Sequence, residues 1–175
     1  MTRTRRGRAE LWLALWASLL IGACGTTERD TPGTGAGEAA GAMTEPLDFA
    51  TLKKAESPNR WLVAPDGFLD ASAPDAPAPR FEASASEVYE ALLQVIDAER
   101  AYSDLETDRA ARRIAFVATV PVFGFKDDVD IAVIEDTGTT TLAIYSRSRV
   151  GYSDFGVNKR RVETIISRLR EALER

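Results

Sequence analysis

The chain has 175 residues, with 45% hydrophobic and 28% charged residues and a net charge of −5. This composition is typical of a globular protein, and the length is enough for one ordinary domain with additional segments. There is no histidine, which excludes Ser-His and Cys-His catalytic pairs and the usual zinc sites, and the single cysteine, Cys24, excludes an internal disulfide.

Residues 1–23 have the features of a signal peptide. The basic segment MTRTRRGR precedes the apolar segment LWLALWASLLIGA, which is too short to span a bilayer comfortably. The following IGAC resembles the bacterial lipoprotein box, which implies cleavage before Cys24 and acylation of its thiol and new amino group. An ordinary secretory signal with a chance cysteine, or an uncleaved anchor, are the alternatives.

We therefore expect a lipoprotein of the bacterial cell envelope, held to a membrane on the periplasmic side by lipid on Cys24. Gly25, in place of an aspartate, favours the outer membrane over the inner one under the common enterobacterial sorting rule. Cleavage would leave 18 basic and 26 acidic residues, a net charge of −8. An acidic protein in the envelope is a poor partner for nucleic acid, so we expect none.

Three segments follow the signal peptide. Residues 24–45 comprise the lipidated cysteine and a tether rich in Gly, Thr, Ala and Glu, which predicts a flexible linker. Residues 46–79 contain bulky apolar residues and then a proline-rich stretch, which predicts a strap over the core and a loop. The run Trp61-Leu62-Val63 fits this strap, with a small recognition edge as the alternative.

Residues 80–175 are predicted to form one compact domain. A short strand (RFEAS) precedes a helix that a Ser84-to-Glu87 capping box begins, and four strand-like runs and a final helix over residues 158–174 follow. The order β-α-β-β-β-β-α predicts an α+β fold. We expect a two-layer sandwich with an antiparallel sheet of about four to five strands and two helices on one face.

The last two strands concentrate charge. A tight turn centred on Thr137-Gly138 makes paired residue numbers sum to about 275, which places acids opposite arginines. We predict a structural ionic cluster of Asp127, Asp128, Asp130 and Asp154 with Arg147 and Arg149.

We call the far end of this hairpin, together with the turn from the last strand into the last helix, the corner. A second interpretation of the corner is an anion site. Asn158 is the expected N-cap of the last helix, and three cations follow it after a glycine-bearing turn. The candidate residues are Arg147, Arg149, Asn158, Lys159, Arg160 and Arg161. A third interpretation is metal binding or acid–base chemistry by the acids of KDDVD, which the neighbouring arginines disfavour, so no metal and no other cofactor is expected.

These residues carry a resemblance to a known family. FGFKDDVD followed by SRSRVGYSDFGVNKRRVE resembles the bacterial and plastid family catalogued as domain of unknown function 1499. The resemblance covers about residues 57–173, and it implies the domain without implying a reaction. The family's frequent cysteine after Pro-Asn is absent, since Pro58-Asn59 is followed by Arg60.

The sequence thus predicts an envelope lipoprotein with a non-catalytic binding or interaction domain. Its partners are expected to be the membrane, through the anchor, and a small anion or an envelope protein. The alternative is an envelope hydrolase that uses Asp127 or Asp128 as acid or base, with no other catalytic residue indicated.

Overall fold

The computed structural model describes residues 47–121 and 123–175. The predicted signal peptide, Cys24 and the tether of residues 24–45 lie outside the described residues. Within the two described ranges, no helix is both long enough and apolar enough to cross a membrane.

The described chain forms two helices and seven strands. The helices are Ala85–Asp97 (α1) and Val157–Leu173 (α2). The strands are Arg60–Ala64 (β1), Ala76–Pro77 (β2), Arg80–Phe81 (β3), Tyr102–Asp108 (β4), Arg113–Thr119 (β5), Lys126–Asp136 (β6) and Thr139–Ser148 (β7). The strands form one sheet in the order β2-β1-β7-β6-β5-β4, with β3 also paired to β7. The predicted α+β class is confirmed.

The sheet is larger than predicted because β1 and β2 come from the segment interpreted as strap and loop. Trp61-Leu62-Val63 is the middle of β1, where Leu62 and Val63 are buried. β1 pairs antiparallel with β7 and parallel with β2, so the sheet is mixed. Pairing on both sides satisfies the backbone groups of this short run, which a strap on the surface would leave to water.

The β6–β7 hairpin has the predicted register. Thr137 and Gly138 form the turn with φ values of 42° and 87°, the left-handed pair that suits a two-residue hairpin loop. Asp127 lies opposite Ser148 and Asp128 opposite Arg147. The tight turn therefore determines which charged residues become neighbours at the far end of the hairpin.

The two faces of the sheet carry different cores. On one face, here called the helix face, α1 and α2 pack against alternate strand residues that include Phe116, Ile131 and Ile144. The other, here called the strap face, is covered by Phe49 and Leu52, which pack on Leu62, Ala64, Ala132, Ala143 and Tyr145. Both helices lie on one face, as predicted, and the N-terminal segment shields the other.

Two local features agree with the sequence patterns. The Ser84 hydroxyl accepts a hydrogen bond from the Glu87 N–H, and the Glu87 carboxylate accepts one from the Ser84 N–H, which completes the capping box at the start of α1. Val162, Ile165 and Leu169 form the buried stripe of α2. The capping box thus determines where α1 begins, and apolar spacing determines which side of α2 packs against the sheet.

The outer edge strand β4 is irregular. Its pairing with β5 shifts between Ser103 and Glu106, and Asp104 has a φ of 51°. Six of its seven residues are exposed. A bulged, charged edge of this kind is poorly suited to accept another strand.

Candidate functional site

The predicted ionic cluster is divided between the two faces of the sheet. Asp128 and Asp130 lie on the strap face, where Asp130 Oδ2 is 2.6 Å from Arg147 Nη1 and Asp128 Oδ1 is 2.7 Å from Arg149 Nη2. The Arg147 guanidinium also lies 5.0 Å from the centroid of the Tyr145 ring. The hydrogen bond that Arg149 donates to Asp128 raises the pKa of Arg149, although partial burial acts in the opposite direction. Both arginines are therefore already paired.

Asp127 faces the helices, because successive strand residues point to opposite faces. It is 1% exposed, and its Oδ2 is 2.6 Å from Nη2 of Arg161 on α2. Arg161 Nη1 also donates to Ser146 Oγ and Asn158 Oδ1, at 2.9 and 2.7 Å. Within the described residues, Asp127 Oδ1 accepts no hydrogen bond. This buried carboxylate depends on one arginine for its compensation.

Asn158 connects this network to β1 and β7. Its Nδ2 donates to the Asn59 carbonyl oxygen at 2.9 Å and to Ser148 Oγ at 3.0 Å, while its Oδ1 accepts from Ser146. Asn59 in turn donates through Nδ2 to the Gly151 carbonyl oxygen at 2.6 Å. The side chain of Asn158 is thus fully used inside the protein.

The prediction that Asn158 is the N-cap of α2 is wrong. The N-cap is Gly156, with a φ of 76°, and Asn158 is the second helical residue. The Asp154 carboxylate accepts hydrogen bonds from the N–H groups of Gly156 and Asn158, at 3.0 and 2.7 Å. A carboxylate from the preceding loop therefore occupies the position that an external anion would take, and the helix dipole favours it there.

Lys159 and Arg160 have local partners as well. Lys159 Nζ lies 5.0 Å from the centroid of the Trp61 ring and 3.8 Å from a carboxylate oxygen of Glu163. Arg160 Nη1 donates to the Phe155 carbonyl oxygen at 2.9 Å. The six predicted anion-binding residues therefore do not converge on a common point, since Arg147 and Arg149 lie on the strap face and Asn158 and Arg161 on the helix face.

Exposed apolar side chains surround this corner. They belong to the β5–β6 and β7–α2 loops. These two loops are adjacent where the Arg149 N–H donates to the Lys126 carbonyl oxygen at 3.1 Å. We call these residues the aromatic tip. Its members, with their exposed fractions, are Phe123 (70%), Phe125 (52%), Val150 (58%), Tyr152 (77%) and Phe155 (89%). The Phe123 and Phe125 rings stack with their centroids 5.8 Å apart.

A cavity of about 130 Å³ lies elsewhere, between the N-terminal segment and strands β4, β5 and β6 on the strap face. Its lining includes Leu47, Phe49, Arg113 and Asp130. Sites for drug-sized ligands usually have roughly 300–1,000 Å³, so this cavity suits a few water molecules or a very small solute. Among the described residues, no group of three or more acidic or cysteine side chains is placed to hold a metal ion.

The sequence interpretation missed several residues that organise this end of the fold. Ser146 and Ser148 could have been recognised, because their spacing of two places both on the face that Asn158 contacts. Asn59 carried no such local signal, since its partner Asn158 lies 99 residues later. A further ionic group, in which Asp75 pairs with Lys54 and Arg60, was also not expected.

A family model described as "Protein of unknown function (DUF1499)" matches residues 43–169, which include the whole corner and the aromatic tip. No curated protein matches the chain.

Several solved structures show weak similarity. The di-domain ARO/CYC protein BexL is 19% identical with a TM-score of 0.36, and the match covers 55% of this chain and 42% of BexL. Ara h 8.0201 is 8% identical with a TM-score of 0.41, over 56% of this chain and 95% of that one. TTHA0849 from Thermus thermophilus is 13% identical with a TM-score of 0.27, over 55% and 91%. The chain thus spans about two fifths of BexL, and similarities at these TM-scores support no conclusion about function.

Proposed function

The chain belongs to the DUF1499 family of proteins of unknown function, and from this premise we propose that it is a lipid-anchored protein of the bacterial cell envelope whose domain is a non-catalytic interaction module. The anchor is Cys24, at the end of a basic and then apolar leader. The outer membrane is the proposed location, because Gly25 follows the cysteine.

The aromatic tip is the observation that carries the interaction role. Its most exposed members, Tyr152 and Phe155, are 77% and 89% exposed. Large apolar side chains grouped at the surface mark sites that contact a partner. Most charged residues of the same corner have partners within the protein, so the exposed apolar side chains of the tip are the main contact surface at this end.

The hydrolase alternative has less support. Asp127 is 1% exposed and contacts Arg161, and Asp128 is held by Arg149. A general acid or base must reach the proton that it transfers, whereas Asp127 is buried and Arg149 holds Oδ1 of Asp128 through its Nε and Nη2 atoms. The anion-site form of the proposal also has less support, because Asp154 already occupies the N-terminus of α2.

Mass spectrometry of the full-length protein from its own membranes tests the anchor. We expect a mature N-terminus at Cys24 carrying acyl chains, and a Cys24→Ser variant that keeps its leader and carries none. An unmodified thiol at Cys24, or cleavage at another residue, would contradict the proposed anchoring.

Incubation of the purified protein with peptidoglycan, lipopolysaccharide and phospholipid tests the absence of catalysis. We expect no released product. A product that Asp128→Asn abolishes while the urea unfolding midpoint stays the same would overturn the non-catalytic role and favour the hydrolase.

A further inference from the structure

Phe155 is held outward by the surrounding loop. It has a φ of 52°, a left-handed conformation that is unusual for a bulky side chain, while its ring is 89% exposed. No internal packing of the ring compensates this conformation. Strained backbone of this kind persists only where the surroundings impose it, and it is concentrated at functional sites.

The hydrogen bonds that impose this conformation come from both ends of the β7–α2 loop. Arg160 donates to the Phe155 carbonyl oxygen, and the Asp154 carboxylate accepts from the Gly156 N–H on the other side. At the start of the loop, Asn59 donates to the Gly151 carbonyl oxygen at 2.6 Å. The buried network therefore presents Tyr152 and Phe155 in a defined conformation.

The high exposure of Tyr152 and Phe155 indicates that their side chains protrude from the surface. Side chains that are 77–89% exposed do not line a groove. The stacked rings of Phe123 and Phe125 belong to the loop that a backbone hydrogen bond from Arg149 to Lys126 joins to the β7–α2 loop. Protruding Phe and Tyr side chains suit insertion at the boundary between lipid headgroups and acyl chains.

Basic residues flank this protrusion. Lys126, Lys159 and Arg160 are exposed or half-exposed, although the mature chain would carry a net charge of −8. The acid of the β7–α2 loop, Asp154, is engaged at the helix N-terminus, and Glu163 lies beside Lys159 on the next turn. Lys126, Lys159 and Arg160 around the apolar tip complement anionic headgroups, and Asp104 of β4 is a nearby exposed acid that acts on Arg149.

We propose that the aromatic tip inserts into the surface of the membrane that carries the lipid anchor, with Phe155 and Tyr152 entering the bilayer interface and Lys126 and Arg160 facing anionic headgroups. This inference rests on the proposed function, because the anchor supplies the nearby bilayer. The domain then lies against the membrane by a second contact, and a weak insertion is sufficient since the tether keeps its effective concentration high.

The length of the chain before the domain permits this contact. Leu47 lies at the start of β5, where its carbonyl oxygen accepts from Arg113, whereas the β5–β6 loop of the tip follows the end of β5. The strand between them is roughly 20 Å long at 3.3 Å per residue. The 22 residues from Gly25 to Pro46 extend to about 70 Å when stretched, so they can run the length of the strand and still reach the bilayer.

Depth-dependent fluorescence quenching of the lipidated full-length protein tests the proposal. Trp61 is the single tryptophan after Cys24, so Trp61→Phe gives a background without this fluorophore. Phe155→Trp in this background places a probe at the tip. In vesicles of phosphatidylethanolamine and phosphatidylglycerol with brominated acyl chains, we expect a blue-shifted probe that loses most of its emission.

Thr137→Trp in the same background is the matched control. Thr137 lies in the β6–β7 turn, at the other end of the hairpin from the tip. We expect its emission to be unchanged by the brominated lipid. We also expect Lys126→Gln to reduce quenching of the tip probe only when phosphatidylglycerol is present, and Arg160 is left unchanged because it holds the Phe155 carbonyl oxygen.

Vesicle flotation reports the anchor separately. Protein that floats while the Phe155→Trp probe is no more quenched than the Thr137→Trp probe would overturn tip insertion and leave the anchor intact. Protein without acyl chains would overturn the proposed anchoring. In that case, quenching of the Phe155→Trp probe at increasing vesicle concentration would still test tip insertion, and its absence would overturn the insertion as well. Protection of the probe by an envelope protein, without quenching by lipid, would also overturn insertion.

Discussion

Arg161 joins α2 to the end of the sheet through two acceptors, Asp127 on β6 and Ser146 on β7, and it also donates to Asn158 on its own helix. Its side chain is 8% exposed, and it is the hydrogen-bond donor to the buried Asp127 carboxylate. Removing one partner of a buried ion pair costs roughly 3–5 kcal/mol, because the other charge stays in a poorly solvated place. A solvent-exposed ion pair of the same kind would contribute less than about 1 kcal/mol to the free energy of unfolding.

We expect Arg161→Met to lower the free energy of unfolding by about 3–5 kcal/mol in urea denaturation. Arg160→Met is the matched control, since Arg160 is the exposed neighbour on the same turn, and we expect a change below about 1 kcal/mol. The double variant Asp127→Leu with Arg161→Met should be more stable than Arg161→Met alone, because no uncompensated carboxylate remains. Equal losses at residues 160 and 161 would contradict this account of the network.

The division of charges at this corner could in part have been predicted. The pairing sum gave the correct neighbours, Asp127 with Ser148 and Asp128 with Arg147. The alternation of strand residues already places Asp127 and Asp128 on opposite faces, and applying it would have separated the predicted cluster. The ion pair of Asp127 with Arg161 could not be predicted in this way, because it depends on how α2 crosses the sheet.

At the scale of one element, the capping box of α1 combines a hydrogen bond with a titratable group. Hydrogen bonds from the hydroxyl and the backbone N–H of Ser84 lower the pKa of Glu87 from its ordinary value of 4.5. A carboxyl group with a lowered folded pKa stabilises the fold above its unfolded pKa, and this stabilisation is lost as the pH falls through the folded pKa.

We therefore expect Glu87→Gln to flatten the fall in stability as the pH decreases below about 4.5, relative to the wild type. Thermal unfolding followed by circular dichroism between neutral and acid pH measures this difference. Glu90→Gln provides a comparison on the same helix, since Glu90 pairs instead with Arg109. The same pH dependence in Glu87→Gln and in the wild type would contradict this prediction, because it would show that the charge of the Glu87 carboxylate adds nothing to the stability of the capping box.

Element boundaries were predicted well where the signal is local. The Ser84-to-Glu87 spacing and the Thr137-Gly138 turn each specify a backbone conformation by themselves, and both helices begin and end close to the predicted residues. β1 was missed because its five residues, between Pro58 and Pro65, offer no alternation long enough to distinguish a strand from an extended strap. Its pairing with β7 is decided by contacts about 85 residues apart, which no local pattern contains.

At the scale of the whole molecule, residues 47–79 cover one of the two faces of the sheet and supply most of its buried side chains there. Phe49, Leu52 and Leu62 are at most 5% exposed on the strap face. Full burial of such side chains is worth roughly 1.5–3 kcal/mol each, so three of them approach the 5–15 kcal/mol total stability of a typical domain.

We predict that a chain of residues 80–175 does not unfold cooperatively, whereas residues 41–175 do. The shorter chain lacks β1, which is one of the partners of β7, and it lacks the residues that cover the strap face. Urea denaturation followed by fluorescence of the aromatic residues and by circular dichroism distinguishes the two, since only the longer chain should give coincident transitions. A cooperative transition in the shorter chain would show that the two faces fold independently.

Under the proposed anchoring to a membrane, the bulged strand β4 has a second role. Proteins anchored in a plane collide with their copies often and in similar orientations, which is the arrangement in which free sheet edges fuse. The exposed acids Asp104, Glu106 and Asp108 of β4 would make two such edges repel each other. The backbone of β4 is irregular at Asp104, so it offers no straight row of amide groups for another strand to pair with. We therefore expect that chains anchored as proposed would tolerate crowding on a bilayer without joining edge to edge.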